Sequence, residues 1–451
     1  MIRDMTVGKP FGVLLRFSMP MLISVLFQQL YNIADTVIAG KFIGESALSA
    51  VGASYPITTI LLAFGTGMNV GSSVVISKLF GAKRMTRMKT AINTALIACC
   101  VLSAVLTVAG FALSSPLLRL LGTPKADGIF AQAETYLNIY VGGLVFLFFY
   151  NIANGVFTAL GNSRTPLIFL IFSSVGNILL DCVFVIVFNW GVKGVAWATF
   201  ITQAVAATLS MTTLLLQLRK IATDKKPGLF SGDILAQITA VSIPSALQQS
   251  SISIGNMCVQ RLINGFGSSA IAAFSAGSKI KNLGVTTVNA LGGSLSPYVS
   301  QNLGAEKPER VRQGVRTMLK IGAAVSIPLT LFIFFAAEPL IGLFMKENNP
   351  EAVTIGVTYL RIVIPFLILC AIKNAFDGVL RGAGAMGCFM FATMADLGLR
   401  VVIAWILSGL LNSPTGIWLS WPIGWITSTV LTLIFYLKGV WIDKRETEET
   451  K

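Results

Sequence analysis

Residues 134–161 read ETYLNIYVGGLVFLFFYNIANGVFTALG, and residues 357–384 read VTYLRIVIPFLILCAIKNAFDGVLRGAG. At an offset of 223 positions, Thr135-Tyr136-Leu137 falls on Thr358-Tyr359-Leu360. Asn151, Gly155, Val156 and Gly161 fall on Asn374, Gly378, Val379 and Gly384 at the same offset. The register extends outward: Gly44, Ala47 and Ala50 match Gly267, Ala270 and Ala273, and Ser77, Gly81, Ala82 and Arg87 match Ser300, Gly304, Ala305 and Arg310. Nearer the start it slips by one, pairing Pro20 in Ser-Met-Pro with Pro244 in Ser-Ile-Pro. A register held over roughly 140 positions marks an internal duplication.

What is duplicated is apolar. Of 451 residues, 54% are AVILMFWYC and only 12% are charged, against the ~25% charged of soluble domains. Mean hydropathy is +0.77. A membrane helix takes about 20 predominantly apolar residues, so this stock fills about twelve spans. Apolar runs lie near 12–39, 51–77, 91–115, 134–159, 166–188 and 194–217, then near 236–260, 270–302, 315–339, 357–381, 387–410 and 415–438. A polar stretch from Arg219 to Asp233 separates the two sets. Six is even, so both halves insert the same way round, as parallel lobes related by an axis along the membrane normal with a cavity between them. The predicted fold is an all-α membrane protein of twelve transmembrane helices in two six-helix lobes. The N-lobe covers 1–218, a cytoplasmic linker 219–235, the C-lobe 236–440 and a cytoplasmic tail 441–451. Such a duplicated bundle suits alternating access.

Lysine and arginine orient it. Flanks on the side of the termini carry 23 of the 34, whereas the opposite loops hold eight: Lys41, Arg119, Lys125, Lys193, Arg261, Lys279, Lys281 and Lys346. Arg361, Lys373 and Arg400 fall within spans. The excess of basic residues places both termini in the cytoplasm, in a plasma (inner) membrane. It also accounts for the net charge of +15 without a nucleic-acid partner. The first eleven residues lead into a long apolar run without a small-residue cleavage site, which reads as a retained span and not a signal peptide.

The composition also excludes chemistry. There is no histidine, which removes the commonest metal ligand and acid–base catalyst. No Walker lysine loop is present, so ATP is not the expected energy source. An enzyme is not expected, nor any cofactor beyond a coupling ion. The six cysteines, Cys99, Cys100, Cys182, Cys258, Cys370 and Cys388, form no CxxC and read as small buried hydrophobes. Gly65-Thr66-Gly67 and Gly292-Gly293 lie inside spans and serve close helix packing.

Charges within hydrocarbon cost roughly 3 kcal/mol or more each, so they face a cavity or a partner. In the first half, Asp35 lies about 6 Å below the outer surface and Asp181 about 10 Å, at 1.5 Å per residue. Asn177 is one turn from Asp181 on the same helix face, and Thr199 sits about 8 Å deep on the next span. Two carboxylates, an amide oxygen and a hydroxyl thus share one depth. They suit Na+ or a proton shared between carboxylates, or else a hydrogen-bonded network that merely joins helices. Their counterparts in the second half are Cys258, Ala404 and Arg400 in place of Asp35, Asp181 and Asn177. The fold alone therefore does not require the acids. The second half has instead Lys373 with Asp377 and Asp396 with Arg400, each spaced i,i+4 so that the pair can neutralise itself. These bridges either brace the lobe or line a substrate cavity. Pro20 and Pro244 interrupt the first span of each half, as passive kinks or moving hinges.

With these residues in view, the chain resembles the multidrug and toxic compound extrusion (MATE) family, whose superfamily also contains lipid-linked sugar flippases. The resemblance covers nearly the whole chain. Pro20 through Asp35-Thr36 and Gly40, the Gly81-Ala82 loop, and Asn154-Gly155 through Gly161-Asn162 carry it, with Asn177-Ile-Leu-Leu-Asp181 and Gly194-Val-Ala-Trp-Ala-Thr199. It implies a two-lobe antiporter that exports organic, often cationic, compounds against H+ or Na+. It is similar to the bacterial DinF-like and MepA-like branch, which implies a coupling-cation site at Asp35, Asn177, Asp181 and Thr199 and a bend of the first helix at Pro20. Gln28 and Asn154 match polar residues lining that lobe, with Asn154 too deep to touch the cation. One chain supplies both lobes, so a monomer is expected, with small organic molecules and the bilayer as its partners. The competing expectation is a flippase for a lipid-linked oligosaccharide. An anionic pyrophosphate head would favour several unpaired cavity arginines, and only Arg400 qualifies, already near Asp396.

Overall fold

The computed structural model describes residues 2–38, 42, 45–124, 128–344 and 349–442, and the side chains of 32–38 and 45–48 also fall outside the description. Among the described residues every regular element is a helix. In the first half these are α1 (Pro10–Ile38), α2 (Glu45–Gly81), α3 (Met85–Leu120), α4 (Ile129–Gly142), α5 (Leu144–Ala159), α6 (Arg164–Asp181) and α7 (Val192–Arg219). In the second they are α8 (Gly232–Asn264), α9 (Ser268–Gly304), α10 (Pro308–Phe335), the short α11 (Ala337–Gly342), α12 (Pro350–Val363), α13 (Leu367–Gly382), α14 (Met386–Leu411) and α15 (Thr415–Leu437).

The twelve apolar runs correspond in order to these helices, with interruptions that the hydropathy does not show. The run 134–159 breaks between α4 and α5, which meet at 48°. Its counterpart 357–381 breaks at a 3-10 turn, Ile364–Phe366, between α12 and α13. The breaks share a place but not a chemistry. In the first half Gly142-Gly143 forms the joint, and a Cβ on Gly143 would stand 3.1 Å from the Phe200 ring. In the second, Pro365, which follows Gly142 by 223, removes a backbone donor at the turn.

Nine described helices are long and apolar enough to cross a membrane, ten when α4 and α5 count as one span. The two long helices outside that number are α8 and α9. Gln248, Gln249, Ser250 and Ser251 dilute the first, and Ser278, Lys279, Lys281 and Asn282 the second.

The duplication is visible as paired contacts. Ser77 Oγ donates to the Ala159 carbonyl at 3.4 Å, and Ser300 Oγ to the Gly382 carbonyl at 2.7 Å, both positions advanced by 223. Gly155 packs so closely on α2 that a Cβ would meet the Asn69 carbonyl at 2.7 Å. Gly378 repeats this against the Gly292 carbonyl of α9 at 2.5 Å. Lipid tails are as apolar as leucine, so close backbone approach at small residues, and not exclusion from water, holds such crossings.

By packing, the chain forms two units, Met1–Asp4 with Ile23–Ala246 and Met5–Leu22 with Leu247–Lys451. Two of the three cuts fall inside helices, two residues after Pro20 in α1 and two after Pro244 in α8, and the third lies between Asp4 and Met5, ahead of α1. Residues 219–235, read from sequence as a linker, lie in the first unit along α3. Lys89 Nζ donates to the Ile221 carbonyl at 2.7 Å, and Asn93 Nδ2 to the Gly228 carbonyl at 2.9 Å. Each unit has its own core, one around Phe148, Ile152 and Phe157, the other around Phe274, Tyr359 and Trp418. Many large apolar side chains outside these cores stay exposed, such as Val108, Phe335 and Leu410, as lipid-facing helices require. All six cysteines are free; Cys99 and Cys370 are buried as read, but Cys100 and Cys258 are exposed and Cys182 and Cys388 half-buried. A thiol tolerates lipid as well as a protein interior.

Candidate functional site

Asp181 is the last residue of α6, and the chain continues as a π-helical segment, Cys182–Val187. Such wide turns weaken the local ladder and recur at functional sites. Here Phe188 N bonds the Val183 carbonyl five residues back, and Trp190 N the Phe184 carbonyl. Gly194 lets α7 start against this turn, since a Cβ there would come within 3.1 Å of Phe184 Cβ. That contact explains why a glycine stands at the head of the segment leading to Thr199.

Around Asp181 three helices of the first unit converge. Asn177, one turn earlier on α6, satisfies its surroundings with its amide nitrogen towards Tyr31 and Asp181. It then donates to the Tyr31 hydroxyl at 3.1 Å and to Asp181 Oδ2 at 2.9 Å, while its oxygen accepts from Thr199 N at 3.0 Å. The other side of the amide also lies 3.4 Å from the hydroxyls of Thr199 and Thr202. Thr202 Oγ1 donates to the Ala198 carbonyl at 2.7 Å. Asp181 and Asn177 are both buried. A cleft lined by Tyr136, Tyr140, Phe200 and Gln203 borders Thr199.

The sequence-derived set is thus brought together in part. Asn177, Asp181 and Thr199 meet. Asp35 belongs to α1, but its side chain lies outside the described residues. Gln28 is exposed on α1, and Asn154 is half-buried on α5, outside the hydrogen bonds of this network. Pro20 is buried within a continuous α1. Two members were missed, Tyr31 and Thr202. Tyr31 stands four residues before Asp35, one turn away on the same face, and that spacing was the available signal.

The second unit buries its own charges. Lys373 Nζ meets Asp377 Oδ2 at 2.7 Å on α13, and Arg400 Nη2 meets Asp396 Oδ1 at 2.6 Å on α14. A third cation joins them. Lys281, assigned from sequence to an outer loop, is in fact inside α9 and only 4% exposed. Its Nζ lies 3.4 Å from the ring centroid of Trp421, and Arg400 Cζ lies 4.0 Å from the same centroid. The loop assignment failed because Lys281 was grouped with the outer flank, although 1.5 Å per residue puts it about 16 Å into the run 270–302. Lys279, two residues earlier in α9, is exposed and stacks near Phe344.

The MatE family model matches residues 20–183 and again 244–406, which is most of the chain and one match for each repeat. The chain belongs to the MATE family. Among relatives of this MATE protein, the probable multidrug resistance protein YpnP of Bacillus subtilis is 30% identical over 97% of both chains. The FAD transporter of Shewanella oneidensis is 27% identical over 75% of each. A solved structure described as the outward-facing conformation of a multidrug resistance MATE family transporter aligns with a TM-score of 0.89 at 24% identity, covering 97% of this chain and 96% of that one. That likeness shows the two-lobe, twelve-helix MATE fold. The chain is accordingly a multi-pass membrane protein of a transporter family.

Proposed function

We propose that this chain is a secondary active multidrug exporter, exchanging organic, often cationic, compounds for H+ or Na+ by alternating access. The observation that carries the reading is Asp181, fully buried at the end of a membrane helix among amide and hydroxyl groups. Its counterpart in the other repeat is the buried Ala404. A carboxylate that the fold does not need, held in hydrocarbon, is a functional group by default. The relationship to a probable multidrug resistance protein at 30% identity over nearly the whole chain supports the substrate class.

Ion binding at Asp181 and substrate binding elsewhere need only opposite preferences for two states of the transporter. With its N–H groups towards Asp181 and Tyr31, Asn177 suits a site without a metal ion, as proton coupling needs; with the amide reversed, its oxygen would join Asp181 around Na+. The other groups that could hold Na+ with Asp181 are the hydroxyls of Tyr31, Thr199 and Thr202. On this reading the chain is not an enzyme, acts as a monomer because one chain supplies both repeats, and keeps both termini in the cytoplasm of a bacterial cell.

The test is ethidium transport by purified protein in liposomes. Uptake against a gradient, collapsed by a proton or sodium ionophore, is expected. Scrambling of a fluorescent lipid without ethidium transport would overturn the reading in favour of a flippase.

A further inference from the structure

We propose that Lys281, Arg400 and Trp421 form an anion-binding subsite in the second unit, taking the carboxylate or phosphate group of an aromatic compound. The starting point is a charge imbalance. Asp377 is bonded to Lys373 and Asp396 to Arg400, so these two buried carboxylates of the second unit already have their cations. Lys281, equally buried, makes no ion pair or hydrogen bond among the described residues. It lies against the face of Trp421, on which Arg400 also stacks. Two cations against one indole repel each other, and the ring quadrupole offsets only part of such a burial cost. A buried cation without a counter-charge is far more expensive than that.

A second observation points the same way. The Arg400 Nε and the Trp421 Nε1 are both buried and lack an acceptor, on residues only 6% and 5% exposed. Lys281 Nζ and the Arg400 guanidinium both lie against the Trp421 ring, so these three donors sit on side chains in direct contact. Among the described residues none of the three has an acceptor, Arg400 using Nη2 for Asp396. Native interiors seldom leave buried donors unmet. The chemistry that answers all three is a group with acceptors only and a negative charge, which a carboxylate or phosphate supplies and an organic cation does not. Phe274, Tyr359 and Trp418 belong to the same core and pack on one another, an aromatic neighbourhood in keeping with the aromatic body of such a ligand. This deepens the export reading: it adds aromatic anions to the cargo and gives the second repeat a role distinct from the ion site of the first.

The test compares fluorescein with rhodamine 6G, which share a xanthene ring and differ in charge. Binding of each to purified wild-type protein and to Lys281→Gln, Lys281→Arg and Trp421→Phe is followed by fluorescence polarisation. Fluorescein is expected to bind wild type, to bind Lys281→Gln at least tenfold more weakly, to retain most of its affinity for Lys281→Arg, and to lose several-fold with Trp421→Phe. Benzoate and phenyl phosphate should both displace it. Rhodamine 6G binding should stay within twofold throughout, which also reports that the variants are folded. Absence of fluorescein binding to wild type, or equal affinity in wild type and Lys281→Gln, overturns the subsite; should Lys281→Gln not fold, equal affinity in Trp421→Phe does so. The export reading is judged separately, since it falls only with loss of gradient-driven rhodamine 6G transport by wild type.

Discussion

The Asn177 amide donates to Asp181 Oδ2 at 2.9 Å from one turn earlier on α6, and 223 residues later the same two positions are Arg400 and Ala404. One repeat therefore holds a neutral donor beside a carboxylate. The other holds a cation, bonded to Asp396, beside a methyl group. A shared fold has been given two unlike interiors.

Removing the donor separates the two ion readings. If the site carries a proton, Asn177→Ala should displace the pH optimum of efflux while leaving its sodium dependence unchanged. If it binds Na+, the same change should weaken the sodium requirement. Efflux against pH at fixed sodium, for wild type and Asn177→Ala, decides between them. A wild-type sodium requirement that persists at every pH and vanishes in the variant would contradict the proton reading.

Asp35→Asn should abolish coupled efflux while expression and thermal stability survive, because Asp35 and Tyr31 share one face of α1 and the second repeat has Cys258 in its place. Wild-type transport by a well-expressed Asp35→Asn protein would rule this out.

Cys258→Asp should fail to rescue Asp35→Asn. Cys258 is exposed on α8, Ala404 is a buried methyl, and Arg400 is already bonded to Asp396. A carboxylate placed there lacks the amide and hydroxyl neighbours of the first repeat. Restored ion-driven efflux in the double variant would show the repeats to be interchangeable.

The helix crossings should be intolerant of a single methyl group. Gly378→Ala forces a Cβ to within 2.5 Å of the rigid Gly292 carbonyl, so α9 and α13 must part, at a cost of about 1–3 kcal/mol. A lowered midpoint of thermal unfolding in detergent is expected. Gly293→Ala, with nothing within 4 Å of its Cβ, is the matched control and should leave the midpoint nearly unchanged.

Much of this architecture could be read without coordinates because a duplicated run of apolar helices leaves its register in the residue types. Gly155 and Gly378 mark the same crossing, and Thr135 and Thr358 the same turn of helix. The helix breaks were less visible. Gly142-Gly143 and Pro365 interrupt their helices without lowering hydropathy, which measures transfer from water and not backbone geometry. At the site, depth along a helix brought Asn177, Asp181 and Thr199 together, since one dimension suffices when neighbouring spans are antiparallel. Rotation about each helix is a second dimension that depth ignores. Tyr31 and Thr202 were missed for that reason, and Lys281 was missed because a basic residue well inside the run was grouped with the flank.

The central claim, that buried Asp181 links an ion gradient to drug movement, is tested most directly in liposomes holding a pH-sensitive or sodium-sensitive dye. An imposed ethidium gradient should drive a counterflow of H+ or Na+ through wild-type protein. Asp181→Asn should lose that counterflow and all uphill ethidium transport, by at least tenfold, while still binding ethidium. Drug-driven ion flux at the wild-type rate in a folded Asp181→Asn protein would contradict the account.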